Sequence, residues 1–176
     1  MNTGQMLLTL GAITLFGIQI LGLNDNELST SDEVNNAKFG IMATALAKST
    51  IDNAFALKFD ANTIYNNAYP DANGKPTSGS FTAPNGLGCS SGELTNGHPD
   101  PRKFNDFDDY HNVTQVVDTL PSAIYTIVSQ VRYVDPSNGF APVNYITWDK
   151  EITVTVTSVN LRAPVILRAV NSYWKY

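Results

Sequence analysis

Four aspartates lie close together in the sequence, Asp100, Asp106, Asp108 and Asp109, and they are the residues best suited to chemistry. Carboxylate oxygens are the hard ligands that Ca²⁺ prefers, so the cluster suggests a calcium site. Its spacing does not fit an EF-hand loop, which needs a glycine at the sixth position and a glutamate at the twelfth. The pattern favours the alternative that these side chains cap turns or pair with Arg102 and Lys103. We therefore expect no cofactor, with calcium as the exception left open.

The rest of the chain offers little that would support catalysis. Its two histidines, His98 and His111, lie apart in loop-like sequence, and no HExxH, GxSxG, P-loop or CxxC pattern is present. The single Cys89 cannot form an internal disulfide. A formal net charge of −5 and a pI near 4.8 argue against nucleic acid as a partner, because phosphate binding needs a basic face. We expect a protein that is not an enzyme.

The N-terminal segment is different in kind, because residues 1–24 contain no charged side chain. Its apolar part, residues 6–23, would be roughly 27 Å long as a helix, close to the hydrocarbon core of a membrane at about 30 Å. The hydroxyls of Thr9 and Thr14 can bond to carbonyls of the preceding turn, which makes their burial in lipid tolerable. The amide of Gln19 needs a partner that lipid does not provide. The segment therefore predicts a neighbouring helix beside it.

Three other interpretations of this segment are weaker. A secretory signal peptide needs a basic start and a small-x-small cleavage site, and neither is evident in residues 1–24. For a plain membrane anchor, the positive-inside rule predicts no orientation, because no Lys or Arg precedes Lys38. A buried helix of a globular core is disfavoured because the run is apolar on every face.

Residues 25–176 are predicted to form one globular head behind the hydrophobic helix of residues 1–24. Weak helix formers at residues 22–26 predict a kink or a melted stretch, with a helix restarting near Ser31 as the alternative to a continuous rod. Residues 27–59 contain no proline and predict an amphipathic helix. The apolar stripe expected to pack on a sheet comprises Val34, Ala37, Ile41, Ala45, Ile51, Ala54 and Phe55.

The remainder divides into a loop and a sheet. Residues 62–101 are dense in Gly, Pro, Ser, Asn and Thr without periodicity, which predicts a long surface loop. Residues 123–134, 151–159 and 164–174 read as strands. The second of these alternates aliphatic and hydroxylated residues, as in an antiparallel sheet with one wet face. The predicted fold class is α+β: a long N-terminal hydrophobic helix that continues into an amphipathic helix packed on an antiparallel sheet.

This layout, with the stretch GQMLLTLGAITLFGIQIL at residues 4–21, resembles the type IV pilin and pseudopilin superfamily. Such proteins begin with a hydrophobic helix that anchors the subunit in the inner membrane and then packs into the core of a helical filament. The family usually has a glutamate where this chain has Gln5, whose amide adds no Coulomb attraction to a neighbour's ammonium. The resemblance implies an assembly helix comprising Gln5, Met6, Leu7, Leu8, Leu10, Ile13, Leu15, Phe16, Ile18, Gln19, Ile20 and Leu21.

Two further stretches are similar to parts of minor pilins of the mannose-sensitive haemagglutinin type. They are FNDFDDYHNVT at residues 104–114, and the pair VSQVRYV and KEITVTVTS at residues 128–134 and 150–158. The resemblance also implies a processed N-terminus at Met1 or at Gln5, after cleavage behind Gly4. Asn112 opens an Asn-x-Thr sequon, a weaker candidate for modification.

The function implied by the resemblance is that of a structural subunit of an extracellular type IV pilus-like filament. Its expected partners are copies of itself, the inner membrane before assembly, and the pilus assembly machinery. A membrane-anchored minor pseudopilin, or a binding protein of a secretion or adhesion system, is the alternative. An enzyme tethered by the same helix is a distant third.

Overall fold

The computed structural model describes residues 2–64, 67–77, 79–119 and 123–173, and for residues 22–32 it describes the backbone alone. The architecture is the α+β fold that the sequence predicts, with an apolar N-terminal helix and an antiparallel sheet of five strands. The chain divides into two compact units, Met1–Phe39 and Gly40–Tyr176. The first unit holds the N-terminal part of the helix. The second holds the end of the helix and the strands.

One long helix, α1, spans Thr3–Phe55. Its helical backbone continues through residues 22–26, so neither the predicted melted stretch nor the restart near Ser31 is found. Each weak helix former costs less than about 1 kcal/mol relative to alanine. A helix that is already formed on both sides propagates through such residues, because only nucleation is strongly unfavourable.

The strands follow α1 in the sequence, separated by irregular segments and single turns of 3₁₀-helix. In chain order they are β1 (Leu94–Thr95), β2 (His98–Pro99), β3 (Val113–Val117), β4 (Tyr125–Asp135), β5 (Ala141–Pro142), β6 (Asp149–Thr157) and β7 (Val165–Ser172). The main sheet has the order β3-β4-β6-β7, with β5 paired to the end of β4, and every pairing is antiparallel. The three predicted strands correspond to β4, β6 and β7, whereas β3 was not predicted.

The predicted loop of residues 62–101 is mostly irregular in its described part. It carries 3₁₀ turns at Pro84–Gly86 and Ser91–Glu93, and its end folds into a two-stranded ribbon of β1 and β2. This ribbon was not predicted, because two-residue strands are too short to show a period of two.

The face of α1 that packs on the sheet coincides with the predicted stripe only at Ala54 and, in part, at Ile51. The buried helix residues are Ala43, Ala47, Thr50 and Ala54, which follow one another at intervals of four, three and four. Their alanines join a core with Val131 and Ile152 of the sheet. Of the predicted stripe, Ala54 is buried and Ile51 is half-buried, whereas the other members, Val34, Ala37, Ile41, Ala45 and Phe55, are exposed. The buried face is therefore lined by small side chains, whereas Val34 and Ile41 of the predicted stripe remain exposed.

A second core lies beside the first and is built mainly of aromatic rings. Phe59, Phe81 and Tyr133 are its buried members, and Trp148 and Tyr173 pack against them. The ring centroids of Phe59 and Phe81 are 4.8 Å apart, and those of Phe81 and Tyr173 are 5.2 Å apart. This aromatic core surrounds the start of β6.

Candidate functional site

The first candidate site is a continuous apolar surface on the N-terminal part of α1. Between 51% and 76% of each of its large side chains is exposed. We call this set the apolar surface, and its members are Met6, Leu7, Leu8, Leu10, Ile13, Leu15, Phe16, Ile18, Ile20 and Leu21. All ten belong to the predicted assembly helix.

The apolar surface surrounds the helix rather than forming one stripe. Met6, Leu7 and Leu8 are consecutive, so they point in directions about 100° apart around the axis. A flat partner would cover only one side of such a helix. Complete burial therefore requires lipid or several neighbouring chains around it.

The threonine hydroxyls of this segment form hydrogen bonds within the helix, whereas its glutamine side chains are exposed. Thr9 Oγ1 donates to the carbonyl of Gln5 at 2.8 Å, and Thr14 Oγ1 donates to that of Gly11 at 2.9 Å. These bonds confirm that both hydroxyls are satisfied inside the helix. The side chains of Gln5 and Gln19 are exposed. Their amides would need partners in any apolar surrounding.

Residues Thr3–Leu21 have a mean hydropathy of 1.6 and are long and apolar enough to cross a membrane. None of this stretch is buried within the chain. A signal sequence near an N-terminus meets the same criterion, so an apolar N-terminal helix of this type is what the structure establishes. Met1, one of the two predicted processing positions, lies outside the described residues.

Of the four aspartates of the predicted calcium cluster, Asp100 is half-buried and pairs with Arg102, whereas Asp106, Asp108 and Asp109 are buried close together. Asp100 Oδ1 accepts a bond from Arg102 Nε at 3.0 Å, and the Arg102 guanidinium holds the pKa of that carboxyl well below its usual range. Asp106 caps the 3₁₀ turn Phe107–Tyr110 by accepting from the backbone N–H groups of Asp108 and Asp109. Asp109 accepts from the backbone N–H of Asn105 at 2.8 Å.

Within residues 2–64, 67–77, 79–119 and 123–173, no group of three or more His, Cys, Asp or Glu side chains is arranged to hold a metal ion. The calcium site stays a prediction for titration to test. The sequon residue Asn112 lies on the surface in a left-handed conformation, with φ of 56°. Its modification also stays a prediction.

The fourth aspartate, Asp108, belongs to a buried cluster that sequence reasoning missed. Lys150, on β6, is completely buried, and its Nζ donates to Asp60 Oδ2 at 2.6 Å and to Asp108 Oδ1 at 2.7 Å. The same amine donates to the carbonyl of Phe59 at 3.0 Å. All three of its hydrogens therefore have partners. We call Lys150, Asp60, Asp106 and Asp108 the buried ionic cluster.

Aromatic rings separate this cluster from water. The amine of Lys150 lies 4.6 Å from the ring centroid of Phe59, 5.3 Å from that of Tyr133 and 5.9 Å from that of Phe81. Cations are attracted to the faces of such rings, most strongly where water is absent. The Tyr133 hydroxyl donates to the carbonyl of Thr82 at 2.6 Å, which fixes that ring in place.

Burial changes the acidity of the carboxyl groups in this region. It raises the pKa of Asp106 to about 9, with a further contribution from the neighbouring Asp108 carboxylate. It also raises the pKa of Asp109 to about 7, although backbone hydrogen bonds from Asn105 and Asp106 oppose the change. Burial and the Asp60 carboxylate raise the pKa of Tyr133. At neutral pH, Asp106 therefore carries a proton and can donate a hydrogen bond.

The sequence contains a signal for this cluster that the predicted strand boundaries concealed. Lys150 lies an even number of residues before Ile152, Val154 and Val156, so its side chain points to the same face of the strand. That face was predicted to pack against the core. Extending the strand by one pair of residues places the lysine on the buried face. No local pattern identifies its partners, because Asp60 and Asp108 lie 90 and 42 residues away in the sequence.

Cys89 and His111 each make a hydrogen bond to the backbone of the head, whereas His98 is exposed. Cys89 is half-buried, donates through Sγ to the Asp109 carbonyl at 3.0 Å, and burial raises the pKa of its thiol to about 11. His111 accepts from the backbone N–H of Val131 through Nδ1 at 3.3 Å.

Comparison with known proteins identifies no relative of this chain: no protein-family model matches it, and neither the curated proteins nor the solved structures gave a match.

Proposed function

We propose that this protein is a structural subunit of an extracellular, type IV pilus-like helical filament, assembled through the N-terminal part of α1. The chain would be anchored in the inner membrane by the same helix before the assembly machinery transfers it to the filament. The observation that carries the proposal is the apolar surface, which no other part of the described chain covers.

The energy available from this surface fits a polymer. Complete burial of a large apolar side chain contributes roughly 2 kcal/mol. Because about two thirds of each of the ten side chains is exposed, complete coverage contributes roughly 10 to 15 kcal/mol per subunit. Association costs about 4 to 15 kcal/mol in lost freedom. The gain exceeds all but the upper end of that cost when neighbours surround the helix on every side, as they would in a filament core.

The two exposed amides support helices rather than lipid as the final surrounding. An unpaired amide in an apolar medium costs about 1 to 3 kcal/mol, and Gln5 and Gln19 both lie in the apolar segment. Neighbouring helices supply backbone and side-chain partners that acyl chains lack. A filament core satisfies both groups, whereas a lone anchor leaves them unpaired unless they reach the membrane interface.

A cavity in the head favours a second candidate function, that of a membrane-anchored binding protein. It has a volume of about 750 Å³ and is lined by apolar and aromatic residues that include Phe140, Trp148 and Tyr173. Small-molecule sites have similar volumes and linings. In this alternative the apolar helix serves only as an anchor and the head acts singly.

The substitution Ile13→Lys tests the assembly proposal. A charge placed near the middle of the apolar segment costs about 3 kcal/mol, and the lost burial of isoleucine adds about 1 kcal/mol. The total corresponds to roughly a thousandfold weaker association. Ile41→Lys is the matched control, because both isoleucines are 70% exposed on α1. Filament yield is measured by sedimentation and negative-stain electron microscopy.

We expect Ile13→Lys to abolish filaments and Ile41→Lys to form them at the wild-type yield. Filaments from the Ile13→Lys variant would show that the core lies elsewhere. If neither the wild-type protein nor either variant forms filaments while all bind membranes or detergent, the anchored binding protein is the better account.

A further inference from the structure

The buried ionic cluster places an amine and two carboxyl groups in contact inside the aromatic core. Lys150 Nζ lies within 2.7 Å of an oxygen of both Asp60 and Asp108, and none of the three side chains is more than 3% exposed. One cation faces two carboxylates, so the ion pair leaves an excess negative charge away from water. Buried ionic groups of this kind carry a large desolvation penalty.

An amine held against a carboxyl group can condense with it to form an amide and release water. In water this reaction is unfavourable, because hydration stabilises the separate ammonium and carboxylate ions. In a dry site that stabilisation is absent, so the balance shifts towards the neutral amide. We propose that Lys150 Nζ and Asp108 Cγ form an intramolecular amide bond, which covalently joins β6 to the 3₁₀ turn Phe107–Tyr110.

Asp108 is the better acceptor of the two aspartates because of the contacts each one makes. Asp60 accepts from the backbone N–H groups of Asn62 and Thr82 at 3.0 and 2.8 Å, and from the Thr82 hydroxyl at 3.0 Å. These three donors hold the Asp60 carboxylate in a fixed orientation beside Lys150 Nζ, so we assign Asp60 the role of proton acceptor and Asp108 that of the carbon that is attacked. Asp108 instead lies directly beside Asp106, whose Oδ1 accepts from the Asp108 backbone N–H at 2.9 Å and whose pKa is raised to about 9.

These neighbours supply the proton transfers that the reaction requires. Asp60 accepts a proton from the Lys150 ammonium, and Asp106 donates one to the Asp108 carboxylate. The free amine then forms a bond from Nζ to Asp108 Cγ, and one Cγ–O bond breaks as water leaves. Two of the three ammonium protons depart with that water, relayed through Asp60 and Asp106, which both return to their starting states. No oxidant, metal or co-reactant is needed.

The proposal is independent of filament assembly, since the buried ionic cluster lies wholly within the Gly40–Tyr176 unit. Its structural consequence is a covalent tie between chain segments 42 residues apart in sequence. Such a tie restricts the unfolded chain in the same way as a disulfide. The head would be held closed without cysteine pairs and without dependence on redox conditions.

Intact-mass spectrometry of the purified full chain in denaturing solvent tests the proposal. We expect a mass one water molecule below that of the unmodified sequence, calculated from the N-terminus that peptide sequencing identifies. Tandem spectrometry after digestion should then show a branched peptide that joins Lys150 to Asp108. A mass equal to the sequence mass overturns the proposal. A branch to Asp60, or a loss of water without any branched peptide, also overturns it.

A positioning variant separates the reaction from the simple ion pair. Asp106→Asn keeps a good helix-capping side chain and leaves Lys150 and Asp108 in place, but it removes the proton donor. We expect this variant to fold, as judged by circular dichroism, and to retain the full mass. The control Asp52→Asn removes an exposed carboxylate of α1 and should keep the mass deficit. A folded Asp106→Asn variant with the wild-type deficit would show that Asp106 does not take part.

Discussion

The protonated state of Asp106 leads to a prediction about the pH dependence of stability. An ordinary aspartate has a pKa near 3.9 in the unfolded chain, and burial raises that of Asp106 to about 9 in the folded protein. The folded state therefore binds a proton that the unfolded state has released. The resulting stabilisation is complete below the unfolded pKa and is lost as the pH rises through the folded pKa.

The window between pH 7 and pH 8.5 isolates this group. Each proton bound by the folded state alone changes the unfolding free energy by about 1.4 kcal/mol per pH unit, so Asp106 contributes a fall of roughly 2 kcal/mol across this window. The contribution of Asp109, with a pKa of about 7, is already largely lost at the lower end of this pH window. That of Cys89, with a pKa of about 11, is lost above it.

The perturbation is Asp106→Asn, which cannot titrate. The assay is urea unfolding in a fixed detergent at several pH values, followed by tryptophan fluorescence, since Trp148 packs in the aromatic core. We expect the unfolding free energy of the wild type to fall across the window and that of Asp106→Asn to stay level. Slopes are compared rather than absolute values, because the substitution also removes a hydrogen bond and, by the proposal above, the amide between Lys150 and Asp108. Parallel slopes for the two proteins would refute the reasoning, and Asp52→Asn should follow the wild type.

Three further changes test the core and the acidic residues. Lys150→Met leaves Asp60 and Asp108 buried without their cation and also removes the proposed amide, so it should lower the unfolding free energy by at least about 3 to 5 kcal/mol. A loss below about 1 kcal/mol in urea unfolding would contradict both the buried pair and the amide. Ile152→Ala should lower the unfolding free energy by about 2 to 5 kcal/mol, because this side chain is fully buried. The control Val159→Ala, at a 97% exposed position, should change the unfolding free energy little. Urea unfolding measures both. Millimolar calcium should leave the melting temperature unchanged, since these aspartates already bond to Arg102, Lys150 and backbone N–H groups, and a clear rise would favour the calcium site.

Most of the sheet could be predicted from the sequence because strand periodicity is a local property. Ile152, Val154 and Val156 alternate with threonines, and all three are buried in β6. The strand β3 was missed because Val113–Val117 interrupts its apolar residues with Thr114 and Gln115 in a short run. Short strands of mixed composition depend on their neighbours in the sheet rather than on their own pattern.

The buried face of α1 was wrongly predicted because the sequence offers apolar residues at helical spacing on more than one side. Ile41 and Ala45 fit one stripe, whereas Ala43 and Ala47 fit the stripe that is buried. Hydrophobicity favours the larger residues, but close packing against a sheet favours the smaller ones. Spacing alone does not choose between two such faces.

The buried ionic cluster could be predicted only in part. The alternation in β6 places Lys150 on the core face, but its carboxylate partners come from the segment that follows α1 and from the turn before β3. Their meeting is a consequence of tertiary structure. A rule that assigns charged residues to the surface fails here, because both charges are paired and enclosed by aromatic rings.

Electron microscopy of material sheared from the cell surface tests the central proposal most directly. Antibodies against the head should decorate thin filaments along their whole length, and mass spectrometry of those filaments should identify this chain. Recovery of the chain only from detergent extracts of membranes, as small separate particles, would contradict its role as a filament subunit.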